Sequence, residues 1–124
     1  MIQRFLTVIV LGLSLLNINA AMAHGGVKPK HGGIVQASSD LSFELVATPD
    51  GAVLYVEDHD KPMNTAGMSG KLTVLNGKEK SEAELLPAGD RLQAKGIKFQ
   101  SGAKAVATLT TANKKAITVR FTFK

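Results

Sequence analysis

From residue 34 to residue 124 the chain alternates apolar and polar positions with a period of two, and turn-forming residues break the alternation roughly every 8–12 positions. Leu41, Phe43, Leu45 and Ala47 fall on one side of a strand, with Ser42, Glu44, Val46 and Thr48 on the other. Thr48-Pro49-Asp50-Gly51 predicts a turn, because proline fixes φ at the second position and glycine closes it. Residues 53–57 return as a strand apolar on both faces, the pattern of a strand covered on two sides or lying near an interface. Residues 71–75 direct Leu72 and Val74 inward, and Asn76-Gly77 after them is a strong hairpin signal. Ala83 and Leu85 alternate with Glu82 and Glu84, residues 87–90 turn the chain, and residues 91–95 run back. Residues 103–111 form a strand rich in Ala and Thr, and Ala112-Asn113-Lys114 turns again. The last strand has the cleanest pattern, with Ile117, Val119, Phe121 and Phe123 inward and Thr118, Arg120, Thr122 and Lys124 outward. No window sustains an apolar repeat of 3.6 residues. The expectation is an all-β domain: an immunoglobulin-like β-sandwich of seven or eight short antiparallel strands, with a small closed β-barrel as the alternative.

The chain ahead of these strands divides in two. Arg4, the apolar stretch over residues 5–16 and Ala21-Met22-Ala23 have the three-part form of a secretory signal. The apolar run is about a dozen residues, short of the roughly 20 a bilayer span requires, and Asn17 and Asn19 interrupt it. Cleavage is expected before His24, with export to a bacterial periplasm or an extracellular space and no stable membrane anchor. Residues 24–33, His-Gly-Gly-Val-Lys-Pro-Lys-His-Gly-Gly, hold four glycines and a proline and read as a flexible arm. The expected organisation is therefore a signal over 1–23, an arm over 24–33 and a single β-sandwich domain over 34–124.

Removal of the signal leaves 101 residues, enough for one core but not for a second domain or a deep cofactor cavity. The absence of cysteine excludes disulfides, thiolate metal sites and cysteine nucleophiles. The net charge of +5 becomes +4 once Arg4 is lost. The basic residues are scattered and few aromatics lie among them, so no nucleic-acid surface is expected. The chain is expected to be a monomer.

Candidate chemistry centres on three histidines. After cleavage His24 carries a free α-amine, which with imidazole Nδ1 closes a six-membered chelate suited to Cu(II), Ni(II) or Zn(II). His31, seven residues on, can fold back to the same ion. Asp58-His59-Asp60 opens a loop between two strands, at one end of the sandwich, that also holds Met63 and Met68. Its carboxylates can orient the His59 imidazole, and the thioethers would favour Cu(I). Packing methionines and a solvated Asp-His-Asp turn are the plain alternatives. Ser38, Ser39, Ser69 and Ser81 have no nucleophile-elbow context, the Gly-Gly pairs lack phosphate-loop flanks, and the carboxylates sit dispersed on outward positions such as Glu44, Glu82 and Glu84. An enzyme is not expected.

Gly32-Gly33-Ile34-Val35, Phe43-Glu44-Leu45-Val46, residues 54–62 (Leu-Tyr-Val-Glu-Asp-His-Asp-Lys-Pro) and Ala66-Gly67-Met68-Ser69-Gly70 together resemble a group of small proteobacterial periplasmic proteins. That group is similar to N-terminal modules of the periplasmic adaptor subunits of heavy-metal efflux pumps. The resemblance covers nearly the whole chain after the signal and implies a periplasmic setting, metal handling and an efflux adaptor as partner. A mature chain starting at His24 also resembles periplasmic copper-resistance proteins of immunoglobulin-like fold, although their methionine-rich stretch is missing here. The expected function is a periplasmic carrier, buffer or presenter of a transition metal, copper ion first, with His24 as primary ligand, His31 and His59 next, and Met63 and Met68 for Cu(I) alone. The alternative is a non-enzymatic envelope interaction domain that docks a partner through a sheet edge. A copper oxidase with an N-terminal histidine brace and Tyr55 as axial phenol fits least, because so short a chain offers no extended substrate surface.

Overall fold

The structure is a computed structural model that describes residues 28–124. The expected signal and His24 lie outside the described residues. Among the described residues there is no helix, and nine antiparallel strands account for the fold: β1 (Ile34–Ser38), β2 (Leu41–Thr48), β3 (Gly51–Asp58), β4 (Lys61–Pro62), β5 (Ser69–Asn76), β6 (Glu79–Ala88), β7 (Arg91–Lys95), β8 (Lys104–Thr110) and β9 (Ala116–Thr122). They form one sheet in the order β1-β2-β3-β7-β6-β5-β8-β9, with β4 added on β3. The all-β class and the short antiparallel strands are as expected, and the path is that of the barrel alternative.

The long strand β6 explains that path. Residues 79–85 pair with β5, and Leu86, Pro87 and Ala88 pair with β7. A single strand thus joins the two halves of the sheet, which would be separate layers in a sandwich. The sheet curls until β1 lies against β9, where the Ser38 hydroxyl donates to the Thr118 carbonyl at 3.4 Å.

Alternation sets the core. Phe43, Leu45, Leu54, Val56 and Leu92 face Leu72, Val74, Leu85, Ile117, Val119 and Phe121 across the interior, all at most 3% exposed. The inward positions of β8 are Ala105, Ala107 and Leu109, and small side chains there leave room for the phenylalanines. Phe123, expected in the core row, is half-buried and stacks on Phe99 with centroids 4.4 Å apart.

Tight hairpins join the strands. Asn76-Gly77 turns β5 into β6 as expected, with Gly77 at φ 64°. Two other turns use non-glycine residues with positive φ: Ser39-Asp40 at 53° and 66°, and His59-Asp60 at 52° and 66°. Both pairs have the dihedral signs of the type I′ turn that matches strand twist, and aspartate tolerates this region well. Residues 58–68, expected to be one open loop, therefore begin with a closed hairpin whose return strand is β4.

Candidate functional site

Three residues on the outer face of the sheet stand in one cross-strand row. Glu44 of β2 is opposite Val35 of β1 and Tyr55 of β3, and Tyr55 is opposite Arg91 of β7. Their neighbours Phe43, Leu45, Leu54 and Val56 point inward, so the row points out. An outward glutamate is normally solvated, yet Glu44 is only 6% exposed.

Residues 30–33 cover it. The backbone N–H of Lys30 donates to Glu44 Oε1 at 3.0 Å, and those of His31 and Gly33 donate to Oε2, each at 2.8 Å. The His31 ring adds a fourth contact, Nδ1 to Oε1 at 3.0 Å. Lys30 Nζ reaches Glu57 at 2.9 Å and the Asp60 carbonyl at 3.3 Å. Gly33 is needed for this approach, since a Cβ there would lie 2.3 Å from the Leu45 carbonyl oxygen. The end of the segment expected to be a flexible arm is thus a strap fastened on β2 and β3. Burial alone would raise the pKa of Glu44. The hydrogen bonds from the His31 ring and from the Gly33, His31 and Lys30 amides outweigh it and hold the carboxyl below its ordinary value.

The same contacts fix the His31 ring. A carboxylate only accepts, so Nδ1 carries the hydrogen, and in the neutral imidazole Nε2 keeps its lone pair. No hydrogen bond from the described residues reaches Nε2. The ring lies flat on Tyr55, with centroids 3.6 Å apart and planes 3° from parallel. Arg91 completes the row, with Cζ 4.9 Å from the Tyr55 centroid and Nε donating to Asp90 at 2.9 Å. The His31 side chain is 39% exposed and borders a cleft of about 190 Å³ formed with Lys30, Tyr55, Glu57, Pro62 and Asp90.

The other expected ligands are placed elsewhere. His59 sits at the tip of the β3–β4 turn, 86% exposed, with Nδ1 2.6 Å from Asp58 Oδ1. Met68 is 3% exposed within the hydrophobic core, and half-buried Met63 packs against it, so these methionines serve as packing residues. Between them, the Thr65 hydroxyl is buried between the carbonyls of Gly89 (2.8 Å) and Arg91 (3.0 Å), tying residues 63–68 to the β6–β7 turn. Among the described residues no group of three or more His, Asp or Glu is arranged to hold a metal ion. His31 and His59 each pair with one carboxylate and do not converge in such a group.

Glu44 as an organising residue was missed in the sequence. The available signals were Gly32-Gly33 immediately before a strand, and one tyrosine, Tyr55, among the aliphatic residues 52–56. Comparison of the chain with protein-family models, with curated proteins and with solved structures finds no match.

Proposed function

We propose that the chain is a periplasmic carrier or buffer of a transition metal, copper first, that presents its cargo to an efflux system. The observation that carries this reading is His31, held at Nδ1 by a buried carboxylate and flat against Tyr55, with no hydrogen bond from the described residues at Nε2. Metal-binding imidazoles commonly have this arrangement, in which a carboxylate on one nitrogen fixes the ring and raises the basicity of the other. His31 supplies one nitrogen, and the amine and imidazole of His24 would supply two more after cleavage. Lys28 lies beside Glu44 and Tyr55, and the four residue steps from it to His24 reach at most about 14 Å. A tether of that length would allow His24 to reach the His31 cleft. The donor set is all nitrogen, which suits Cu(II), and the interior position of Met68 removes the main argument for Cu(I).

Calorimetric titration of Cu(II) into four proteins tests the reading: the mature chain, the same chain with one alanine added before His24, His31→Ala and His59→Ala. The added alanine separates amine from imidazole without changing any side chain. It and His31→Ala should each weaken binding by about one decade or more, and His59→Ala should not. Affinity should fall as pH drops, because the donors must lose protons to bind. Loss with His59→Ala alone would move the site to the β3–β4 turn. No binding tighter than about millimolar would favour the second reading, an envelope interaction domain. One feature supports that reading: β1 and β9 leave unpaired edges facing each other, beside a groove of about 510 Å³ lined by Ile34, Leu45, Ala47, Thr122 and Phe123.

A further inference from the structure

The end of the barrel away from the His31 cleft gathers positive charge around exposed apolar surface. Here β5 turns into β6, β8 begins and β9 ends. Leu75 of β5 is paired with Lys80 of β6 on one side and Lys104 of β8 on the other. Cross-strand partners share a face, so an exposed leucine stands directly between two exposed lysines. Leu75 is 41% exposed, against full burial of Leu72 and Val74 on the opposite face of the same strand.

The segment at residues 96–103 adds to this surface and is fixed there. Asn76 Nδ2 donates to the Lys98 carbonyl at 2.9 Å, and Asn76 Oδ1 accepts the Gln100 N–H at 2.8 Å. Lys98 and the half-buried Phe99 are thereby held beside the turn that carries Lys78. Two acids lie close by. Glu82 draws Lys80 to 3.7 Å and Lys71 to 3.6 Å, and Glu79 adjoins Lys78. Lys78, Lys98 and Lys104 have no acidic side chain within 4.0 Å among the described residues. The turns that border the His31 cleft, β3–β4 and β6–β7, are at the opposite end.

We propose that this lysine-rich end, with Leu75 at its centre, docks the protein on an anionic phospholipid surface and leaves the His31 cleft turned away from it. Lysines on flexible stems act as point charges and need no directional partner, which suits a diffuse, laterally mobile layer of headgroups. A receptor for a specific carboxylate would instead present the planar fork of arginine. Leu75 supplies a small apolar contact for the headgroup boundary, and several weak contributions of this kind add up to reversible peripheral binding.

All nine strands of the described residues, and the core they enclose, lie within Ile34–Thr122, so a chain beginning at His24 carries all of them. Co-sedimentation of that chain with vesicles, in the presence of a chelator, tests docking independently of metal binding. The probes are phosphatidylcholine vesicles with and without about one-third phosphatidylglycerol. The chain should bind the anionic vesicles, ignore the neutral ones and be released by about 0.5 M salt. Lys98→Glu with Lys104→Glu should weaken binding at least about tenfold, whereas Lys114→Glu with Lys115→Glu, the same charge change at the other end, should alter it less than about twofold. Circular dichroism should show both double variants folded, and Leu75→Ser should reduce binding without altering net charge. Three results would overturn the proposal: equal loss in the two double variants, equal binding to neutral vesicles, or binding to soluble polyglutamate at least as tight as to anionic vesicles, which would assign the surface to an acidic protein.

Discussion

Replacing Glu44 by glutamine removes a charge, keeps the shape and asks one question: does this carboxylate hold the strap? Its two oxygens serve four donors, two each. An amide offers one oxygen, so it satisfies at most two donors and turns its own N–H groups toward the others. Two charge-assisted bonds are lost, each contributing about 1.5–3 kcal/mol. Release of residues 30–33 forfeits the other two bonds as well and returns backbone entropy of about 1–2 kcal/mol per residue, which offsets most of the combined loss. The expected net destabilisation is about 2–4 kcal/mol, with complete local detachment of the strap. Urea denaturation reads the first quantity, and amide exchange at Lys30, His31 and Gly33 reads the second. The wild-type advantage should also depend on pH. The folded pKa of Glu44 is depressed, so its contribution is fully present above the ordinary carboxylate value of 4.5 and is lost as pH falls through the folded value. The gap between wild type and Glu44→Gln should therefore be constant at neutral pH and shrink below 4.5. Unchanged exchange rates together with an unchanged urea midpoint would refute the strap, and a gap that persists undiminished in acid would refute the role of the charge.

Two substitutions test the packing that positions the site. Phe121→Ala opens a cavity at a side chain 2% exposed and should cost about 3–5 kcal/mol, read as a lower denaturation midpoint; a midpoint near wild type would remove Phe121 from the core. Thr65→Val keeps volume but deletes a buried hydroxyl that bonds the Gly89 and Arg91 carbonyls. A loss of about 1–3 kcal/mol is expected, with faster amide exchange in residues 63–68, and no change in either would show that the hydroxyl is dispensable.

The parts of the fold that were legible in the sequence are those that depend on side-chain alternation. The inward rows of β5 and β9 follow directly from Leu72 and Val74 and from Ile117, Val119 and Phe121. Asn76-Gly77 announced its own hairpin. Sandwich and barrel could not be told apart in this way, because alternation assigns each residue to a face and says nothing of which strand lies beside which. The deciding feature is β6, whose first part pairs with β5 and whose last three residues pair with β7. That exchange of partners is a tertiary fact, and its sequence trace is no more than Leu85 inward beside Leu86 outward, 58% exposed. The His59-Asp60 turn was hidden for a different reason. Neither residue is glycine, so the left-handed backbone of a tight hairpin had no obvious marker, and the segment looked like an open loop.

The same limit applies to the candidate site with more consequence. Alternation correctly placed Glu44 outward, where a carboxylate is ordinarily solvated. A position facing away from the core is still open to coverage by another part of the chain, and here a glycine-rich stretch covers it. Glycine made residues 24–33 look free, whereas at Gly33 its lack of a side chain permits the close approach to Leu45. Three backbone N–H groups from residues that form no strand must find acceptors, and one carboxylate is the side chain able to accept from all of them. That requirement brings His31 to Glu44 and Tyr55, and ring stacking then sets its direction. His31 was singled out as a nitrogen donor near the chain start. The structure adds the reason that it is a fixed one: the anchoring of the strap and the orientation of the imidazole are the work of the same carboxylate. Loss of Glu44 should therefore loosen the strap and disorient His31 together, and it would also withdraw the basicity that the carboxylate lends to Nε2, so the proposed metal affinity would fall through position and donor strength at once.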